Sequence, residues 1–132
     1  MSMGFKILST VMASIAFVLF GCLLIVPEPI FILFQIPNDE SAFFIARRAA
    51  MLFVGIAILS WLGRHAGHSL LRQAVCIGLG VSMLGLAILG TIEYLRGYAS
   101  MGIGLAVLAE IVLGVSYLRV WFVNRESAEK LS

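Results

Sequence analysis

The sequence predicts an all-α integral membrane protein, a four-helix bundle with both termini on the same, cytoplasmic side. Of its 132 residues, 61% are hydrophobic and only 12% are charged. A soluble domain of this size buries roughly 60–70% of its unfolded surface, so a chain this apolar needs lipid as its solvent. Four segments also provide the roughly 20 mostly apolar residues that a helix needs to cross a bilayer.

The four predicted spans cover residues 7–26, 41–62, 72–94 and 99–122. They leave no room for a soluble domain, so we expect residues 1–132 to form a single membrane domain. The first span resembles a secretory signal that ends at Cys22. It continues apolar through Val26, however, where a cleaved signal would turn polar, and we therefore expect this span to be retained.

Proline ends the first span and defines a short outer segment. Pro27 and Pro29 stop the helix because proline lacks an amide hydrogen and restricts the residue before it. Residues 30–36 are almost wholly apolar but too few to cross a bilayer, so we expect a short interfacial or re-entrant segment on the outer surface. The second span then has three candidate N-caps, which are Asn38, Asp39 and Ser41.

The distribution of the nine basic residues predicts the orientation of the chain. With a cytoplasmic N-terminus, six of them face the cytoplasm: Lys6, Arg64, Arg72, Arg119, Arg125 and Lys130. The other three lie at the outer side: Arg47, Arg48 and Arg96. This excess places both termini inside under the positive-inside rule. The arginines that flank the inner turn, Arg64 and Arg72, are interpreted as anchors to lipid headgroups.

Glu110 stands alone in the last span and is the leading candidate for a functional residue. A charge at the centre of a span costs roughly 2.5–3.5 kcal/mol, so it needs a partner or a function. Arg47, Arg48 and Glu93 lie toward the outer ends of their spans. We expect one of the two arginines to face Glu110 or Glu93 in an intramembrane polar cluster. A buried ion network that fixes helix register is the favoured role, and a ligand or proton site is the alternative.

Small residues predict which helix faces pack closely. In the last span a strip of them shares the face of Glu110 at intervals of four positions: Gly102, Ala106 and Gly114. The third span has a similar strip that includes Gly78 and Ser82. We expect the two strips to face one another, because small side chains let helix backbones approach closely in lipid. A dimer interface is the alternative, since the same spacing serves both purposes.

Cysteine and histidine provide no recognisable metal or redox motif. Cys22 and Cys76 fall near opposite membrane faces, too far apart for a disulfide, and are interpreted as small apolar fillers. His65 and His68 have the spacing H-x-x-H in the inner turn, but no nearby carboxylate or cysteine completes a metal site. We therefore expect two interface-facing imidazoles, no metal and no cofactor.

Several local patterns resemble one group of membrane proteins. These are the proline-ended first span, the apolar outer loop, the arginines before LFVG at 52–55, and AEIVLG at 109–114. With them the chain resembles small uncharacterised four-span bacterial membrane proteins related to the DoxX-like group. The resemblance implies a four-helix protein of the bacterial inner membrane and says little about activity. The redox role suggested for some DoxX-like proteins finds no matching cysteine or cofactor motif here.

These observations favour a small accessory or scaffold protein that packs with itself or with a larger membrane complex. The alternative is a proton-coupled transporter, or a binder of a small apolar ligand such as a quinone, centred on Glu110. An enzyme ranks third because the sequence contains no evident nucleophile–base pair, metal set or nucleotide loop. The expected surroundings are the lipid bilayer, and a net charge of +2 is too small to indicate nucleic-acid binding.

Overall fold

The computed structural model describes the backbone of residues 2–37, 39–97 and 99–129, and the side chains of residues 4–37, 39–97 and 99–124. Within these residues five helices follow one another: α1 (Ser2–Ile25), α2 (Glu28–Phe34), α3 (Glu40–Gly63), α4 (Leu70–Leu95) and α5 (Ile103–Glu129). Four of them, all except α2, are long and apolar enough to cross a membrane. The predicted all-α class is therefore confirmed.

Helix boundaries follow from capping side chains and proline. Asp39 Oδ1 accepts the backbone N–H of Ala42 at 2.7 Å and so caps α3, whereas Asn38 lies outside the described residues. Ser69 Oγ accepts the backbone N–H of Arg72 at 3.2 Å and caps α4 in the same way. The short helix α2 ends at Gln35, which adopts the left-handed conformation with φ of 58°.

The four long helices are arranged as two antiparallel pairs. α1 packs along α3, α4 packs along α5, and the two pairs meet mainly through α1 and α5. Lys6 lies close enough to the α3–α4 turn to influence His65 electrostatically, so α1 begins where α3 ends. We call this side of the bundle the α3–α4 end, and the side that carries α2 and the start of α5 the α2 end.

Glycine allows α4 and α5 to approach one another at backbone distance. A Cβ atom on Gly80 would lie 2.8 Å from the side chain of Leu118 and 3.3 Å from the carbonyl oxygen of Gly114. A Cβ atom on Gly114 would lie 2.8 Å from Leu84 and 3.2 Å from the carbonyl oxygen of Gly80. Each of the two glycines therefore faces the backbone of the other.

The predicted strip in the third span faces away from α5. Gly78 and Ser82 are exposed, and a Cβ atom on Gly78 would meet nothing within 4 Å. The reason is geometric, because two residues along a helix correspond to a rotation of about 200°. Gly78 and Ser82 each lie two positions from Gly80 and so point to the opposite face. Gly80 makes the contact that the sequence analysis assigned to them.

The short helix α2 connects the two pairs at the α2 end. Ser100 Oγ donates to the carbonyl oxygen of Leu33 at 2.5 Å, and Gly102 lies against the same carbonyl so closely that a Cβ atom would overlap it. On its other side α2 buries Phe31 against Ala46 and Ala50 of α3. The predicted short segment is thus a helix that bridges the start of α5 and the α1–α3 pair.

Two apolar clusters form the interior. The first lies toward the α3–α4 end and includes Phe5, Met12, Cys76, Leu79, Met83, Leu113 and Tyr117. The second lies at the α2 end and includes Leu23, Phe31, Ala46 and Ala50. Large apolar side chains also cover the outside of all four long helices, among them Leu52, Leu62, Leu71 and Leu105. An outer surface of this kind is typical of a protein that lipid surrounds.

The close approach of α4 and α5 gives a first prediction. Replacing Gly80 or Gly114 with leucine inserts a side chain where a neighbouring atom lies 2.8 Å from the Cβ position, and overpacking of this kind costs about 1–3 kcal/mol. We expect both variants to melt at a lower temperature in detergent. Gly78→Leu is the matched control in α4 and should leave the melting temperature nearly unchanged. Equal losses at all three positions would contradict the packing.

Candidate functional site

Two of the predicted charged residues, Arg47 and Glu110, lie in the half of the bundle toward the α2 end. Arg47 lies seven residues after the start of α3 at Glu40, and Glu110 lies seven residues after the start of α5 at Ile103. Both helices start at the α2 end, so at 1.5 Å per residue both side chains lie about 10 Å into their helices. Ser60 of α3 and Tyr117 of α5 lie side by side. From that level Arg47 lies thirteen residues and Glu110 seven residues toward the α2 end, so Glu110 lies about 9 Å deeper in the bundle than Arg47.

The structure does not bring these charges together within one chain. α3 packs on α1 whereas α5 packs on α4, so α3 and α5 do not run along one another. Glu110 is half-buried, and in the described part of the chain it has no hydrogen bond or ion pair. Arg47 is exposed. The expected cluster of Glu110 with an arginine of the same chain is thus not formed, because it required α3 and α5 to be neighbours.

Arg48 and Glu93 lie apart from Glu110 as well. The guanidinium carbon of Arg48 lies 5.8 Å from the ring centroid of Phe44, which is one helical turn closer to the α2 end. The arginine therefore extends toward the end of the span, as expected for a basic side chain that reaches for an interface. Glu93 is half-buried near the end of α4.

A second polar group, which the sequence analysis did not identify, lies inside the α3–α4 end. We define the buried polar cluster as Ser9, Ser60, Arg72, Gln73 and Tyr117, of which none is more than 5% exposed. The four long helices each contribute at least one member. Ser9 Oγ and the Tyr117 hydroxyl are 3.2 Å apart and hydrogen-bonded, and Gln73 Nε2 donates to the carbonyl oxygen of Trp121 at 2.9 Å.

Arg72 is the charged member of this cluster. Its side chain is 3% exposed, and its guanidinium carbon lies 4.5 Å from the ring centroid of Phe5. The Phe5 ring in turn meets the Tyr117 ring edge to face, with centroids 6.4 Å apart. Three buried polar atoms of the cluster have no hydrogen-bond partner among the described residues: Arg72 Nε, Ser60 Oγ and Gln73 Oε1. The cluster therefore has more hydrogen-bonding capacity than the protein itself uses.

The sequence pattern does not predict this cluster, for a physical reason. Arg72 is the third residue of α4, a position from which an arginine can equally well reach lipid headgroups. Serine and tyrosine are weakly polar and do not interrupt an apolar span. One signal in the sequence could have indicated the cluster. Ser60 follows Ala50 and Ala57 at helical spacing, so the three small residues share one face of α3, and all three are buried.

The cysteines and histidines are placed at different parts of the bundle. Cys76 is fully buried beside Arg72, while Cys22 lies near the α2 end of α1, and both are free thiols. His65 is exposed, and desolvation together with the positive charges of Arg64 and Lys6 lowers its pKa. Among the described residues no three His, Cys, Asp or Glu side chains lie close enough together to hold a metal ion.

Two apolar grooves run along α1. The groove between α1 and α3 has a volume of about 480 Å³ and is lined by residues such as Phe17, Val54 and Trp61. The groove between α1 and α5 has a volume of about 730 Å³ and contains Arg119 among its otherwise mostly apolar lining. Their apolar walls suit hydrocarbon chains.

No protein-family model matches the chain, and neither a curated protein nor a solved structure matches it. The similarity to the DoxX-like group therefore stays a prediction from the sequence. What the structure defines is a class of protein, all-α with four helices long and apolar enough to cross a membrane.

The buried polar cluster gives a second prediction. Tyr117→Phe removes the hydroxyl that bonds Ser9 and leaves the serine oxygen buried without a partner, which costs about 1–3 kcal/mol. We expect a lower melting temperature in detergent and partial recovery in the double variant Ser9→Ala/Tyr117→Phe. Tyr94→Phe, at an exposed tyrosine of α4, is the control and should change little. Strict additivity of the two single variants would show that the hydrogen bond contributes nothing.

Proposed function

We propose that this protein is a small accessory or scaffold protein of the bacterial inner membrane that assembles with further copies of itself. The observation that carries the proposal is the pair of opposite charges described above. Glu110 and Arg47 lie in the half of the bundle toward the α2 end, on two helices that do not pack together in one chain. Glu110 lies about 9 Å deeper than Arg47, a distance that a long arginine side chain directed inward largely spans. A second copy that presents α3 to α5 would bring them into contact.

The energetics of charge in lipid support this assignment. An isolated charge at the centre of a span costs roughly 2.5–3.5 kcal/mol, so intramembrane charges usually face a partner or water. Arginine has a long side chain that can reach the headgroups from this depth. Glutamate is too short to do so. Glu110 therefore needs a partner more than Arg47 does, and in a symmetric dimer each contact would occur twice.

The exposed face of α4 offers a second surface for assembly. Ala74, Gly78 and Ser82 lie at intervals of four residues, and all three are exposed in the single chain. Small residues at this spacing permit close approach of helices in lipid. Because Gly80 makes the contact with α5, this strip stays available to a helix of another chain.

The alternative function is a proton-coupled transporter, or a binder of a small apolar ligand such as a quinone, at Glu110. It rests on the same half-buried carboxylate without a described partner. The two grooves along α1 are lined by other residues, and this favours the assembly function. The two functions differ in what Glu110→Gln should change. A carrier would lose activity and keep its oligomeric state, whereas a scaffold would lose its assembly.

The third prediction tests assembly. In lipid nanodiscs of mixed size, we expect the unmodified chain to form a dimer or larger oligomer by native mass spectrometry. Arg47→Glu and Glu110→Arg should each weaken association about tenfold or more, because an interhelical polar contact in lipid contributes about 1–2 kcal/mol. The double variant Arg47→Glu/Glu110→Arg should recover it. Glu93→Gln is the control and should not change association. A monomer at every concentration, or no recovery in the double variant, would refute the proposed pairing.

The fourth prediction concerns orientation. Four described basic residues lie at or near the α3–α4 end: Lys6, Arg64, Arg72 and Arg119. Under the positive-inside rule this end is cytoplasmic. In intact cells, a membrane-impermeant thiol reagent should label Gln35→Cys at the α2 end and should leave His65→Cys unlabelled until the cells are opened. The unmodified chain gives the background from Cys22 and Cys76. The opposite labelling pattern would reverse the assigned orientation.

A further inference from the structure

We propose that the α3–α4 end of the bundle binds a phosphoryl oxyanion, with the Arg72 guanidinium as its principal ligand. This site is separate from the Glu110 surface and does not depend on the proposed assembly. It rests on the burial of Arg72, on the polar atoms around it that have no partner, and on the distribution of charge along the bundle.

The first observation is a buried cation that has no carboxylate partner among the described residues. Arg72 is 3% exposed, its Nε is inaccessible and has no partner, and no carboxylate of the described residues forms an ion pair with it. Arginine cannot escape by losing its proton, because its pKa lies far above the physiological range. The stacking on the Phe5 ring offsets part of the desolvation but does not neutralise the charge. An anion from outside the chain would neutralise it.

The second observation is that the acidic and basic side chains that the structure describes occupy different parts of the bundle. All five described acidic residues lie on the α2 half: Glu28, Asp39, Glu40, Glu93 and Glu110. The α3–α4 end carries the basic residues Lys6, Arg64, Arg72 and Arg119. Arg72 lies in the first turn of α4, next to the positive end of that helix dipole, while the negative ends of the α3 and α5 dipoles lie at the same end of the bundle. The potential at this end therefore attracts anions.

The third observation identifies the chemistry of the anion. The planar guanidinium group binds carboxylate and phosphate oxygens through two parallel hydrogen bonds. Arg72 is the third residue of α4, so it lies about 3 Å into a helix that is long enough to cross a membrane, near the end where lipid headgroups are expected. Ser60 Oγ, buried beside the Tyr117 hydroxyl, is a further hydroxyl group at this end. These features together favour a phosphoryl group, supplied either by a lipid headgroup or by free phosphate.

The test measures binding to the full-length protein in a maltoside detergent, which contains no phosphate. Two probes are added separately, inorganic phosphate and phosphatidylglycerol, and binding is followed by the rise in melting temperature and by native mass spectrometry. We expect saturable stabilisation of the unmodified chain. If inorganic phosphate stabilises as well as the lipid does, the ligand is free phosphate. If only the lipid stabilises, the ligand is a headgroup. Either outcome supports the site.

Three variants decide whether Arg72 is the ligand. Arg72→Lys keeps the charge but loses the two-pronged geometry, and should raise the dissociation constant about tenfold. Arg72→Gln removes a buried charge without a partner, so it should fold in detergent and respond to neither probe. Arg48→Gln removes an exposed cation at the α2 end and should bind as the unmodified chain does. Equal binding by the Arg72 variants and the unmodified chain, or no saturable binding by the unmodified chain, would overturn the proposal.

A further pair of substitutions excludes a counter-charge from the chain itself. Glu126 and Glu129 belong to the last turns of α5, and their side chains lie outside the described residues. If they neutralised Arg72, the double variant Glu126→Gln/Glu129→Gln would lose stability in ligand-free detergent and regain it when phosphate is added. That result would overturn the proposal of an external ligand. We expect this double variant to match the unmodified chain in stability and in its response to both probes.

Discussion

The contact between Gly80 of α4 and Gly114 of α5 is the constraint on which the rest of the arrangement depends. Each glycine lies within backbone distance of the other, so the two helices run closer together than side chains would allow. This contact directs Tyr117, one turn beyond Gly114, into the centre of the bundle, where Ser9 of α1 meets its hydroxyl. The interior of the α3–α4 end is built around that tyrosine.

The same pairing explains why the charged residues are separated. α5 packs along α4, and among the long helices α3 packs closely only on α1. Arg47 and Glu110 therefore remain on different sides of the molecule. In water such separation would have little consequence, since both side chains would be solvated. In lipid it leaves an incompletely compensated charge, which favours contact with another chain. The helix pairing of one chain thus generates the surface through which we propose that chains assemble.

In the buried polar cluster, by contrast, a charged residue lies inside the bundle. Arg72 lies inside the bundle because Phe5 of α1 covers it, and the aromatic contact between Phe5 and Tyr117 holds that ring in place. A cation in this position is stable only when neighbouring dipoles, an aromatic face or an anion compensates for the water it has lost. None of the acidic side chains that the structure describes lies at this end, and this supports the external anion that we propose.

The sequence by itself determined the all-α class of the protein and the number of its long apolar helices. Proline at 27 and 29 and the cap at Asp39 are local signals, and long apolar segments are sufficient to define four helices, whereas only the structure showed that the short segment between the first two is helical. It did not determine which helices pair, since in lipid the outward faces are as apolar as the inward ones and periodicity cannot separate them. Gly78 and Gly80 illustrate this limit, because both are small residues two positions apart and only packing selects Gly80. Arg72 and Glu110 illustrate the same limit for charged residues, whose partners the sequence does not determine. The sequence indicated that Glu110 needs a partner, but only the tertiary structure decided that Arg47 and Arg48 of its own chain do not meet it and that Arg72 is buried.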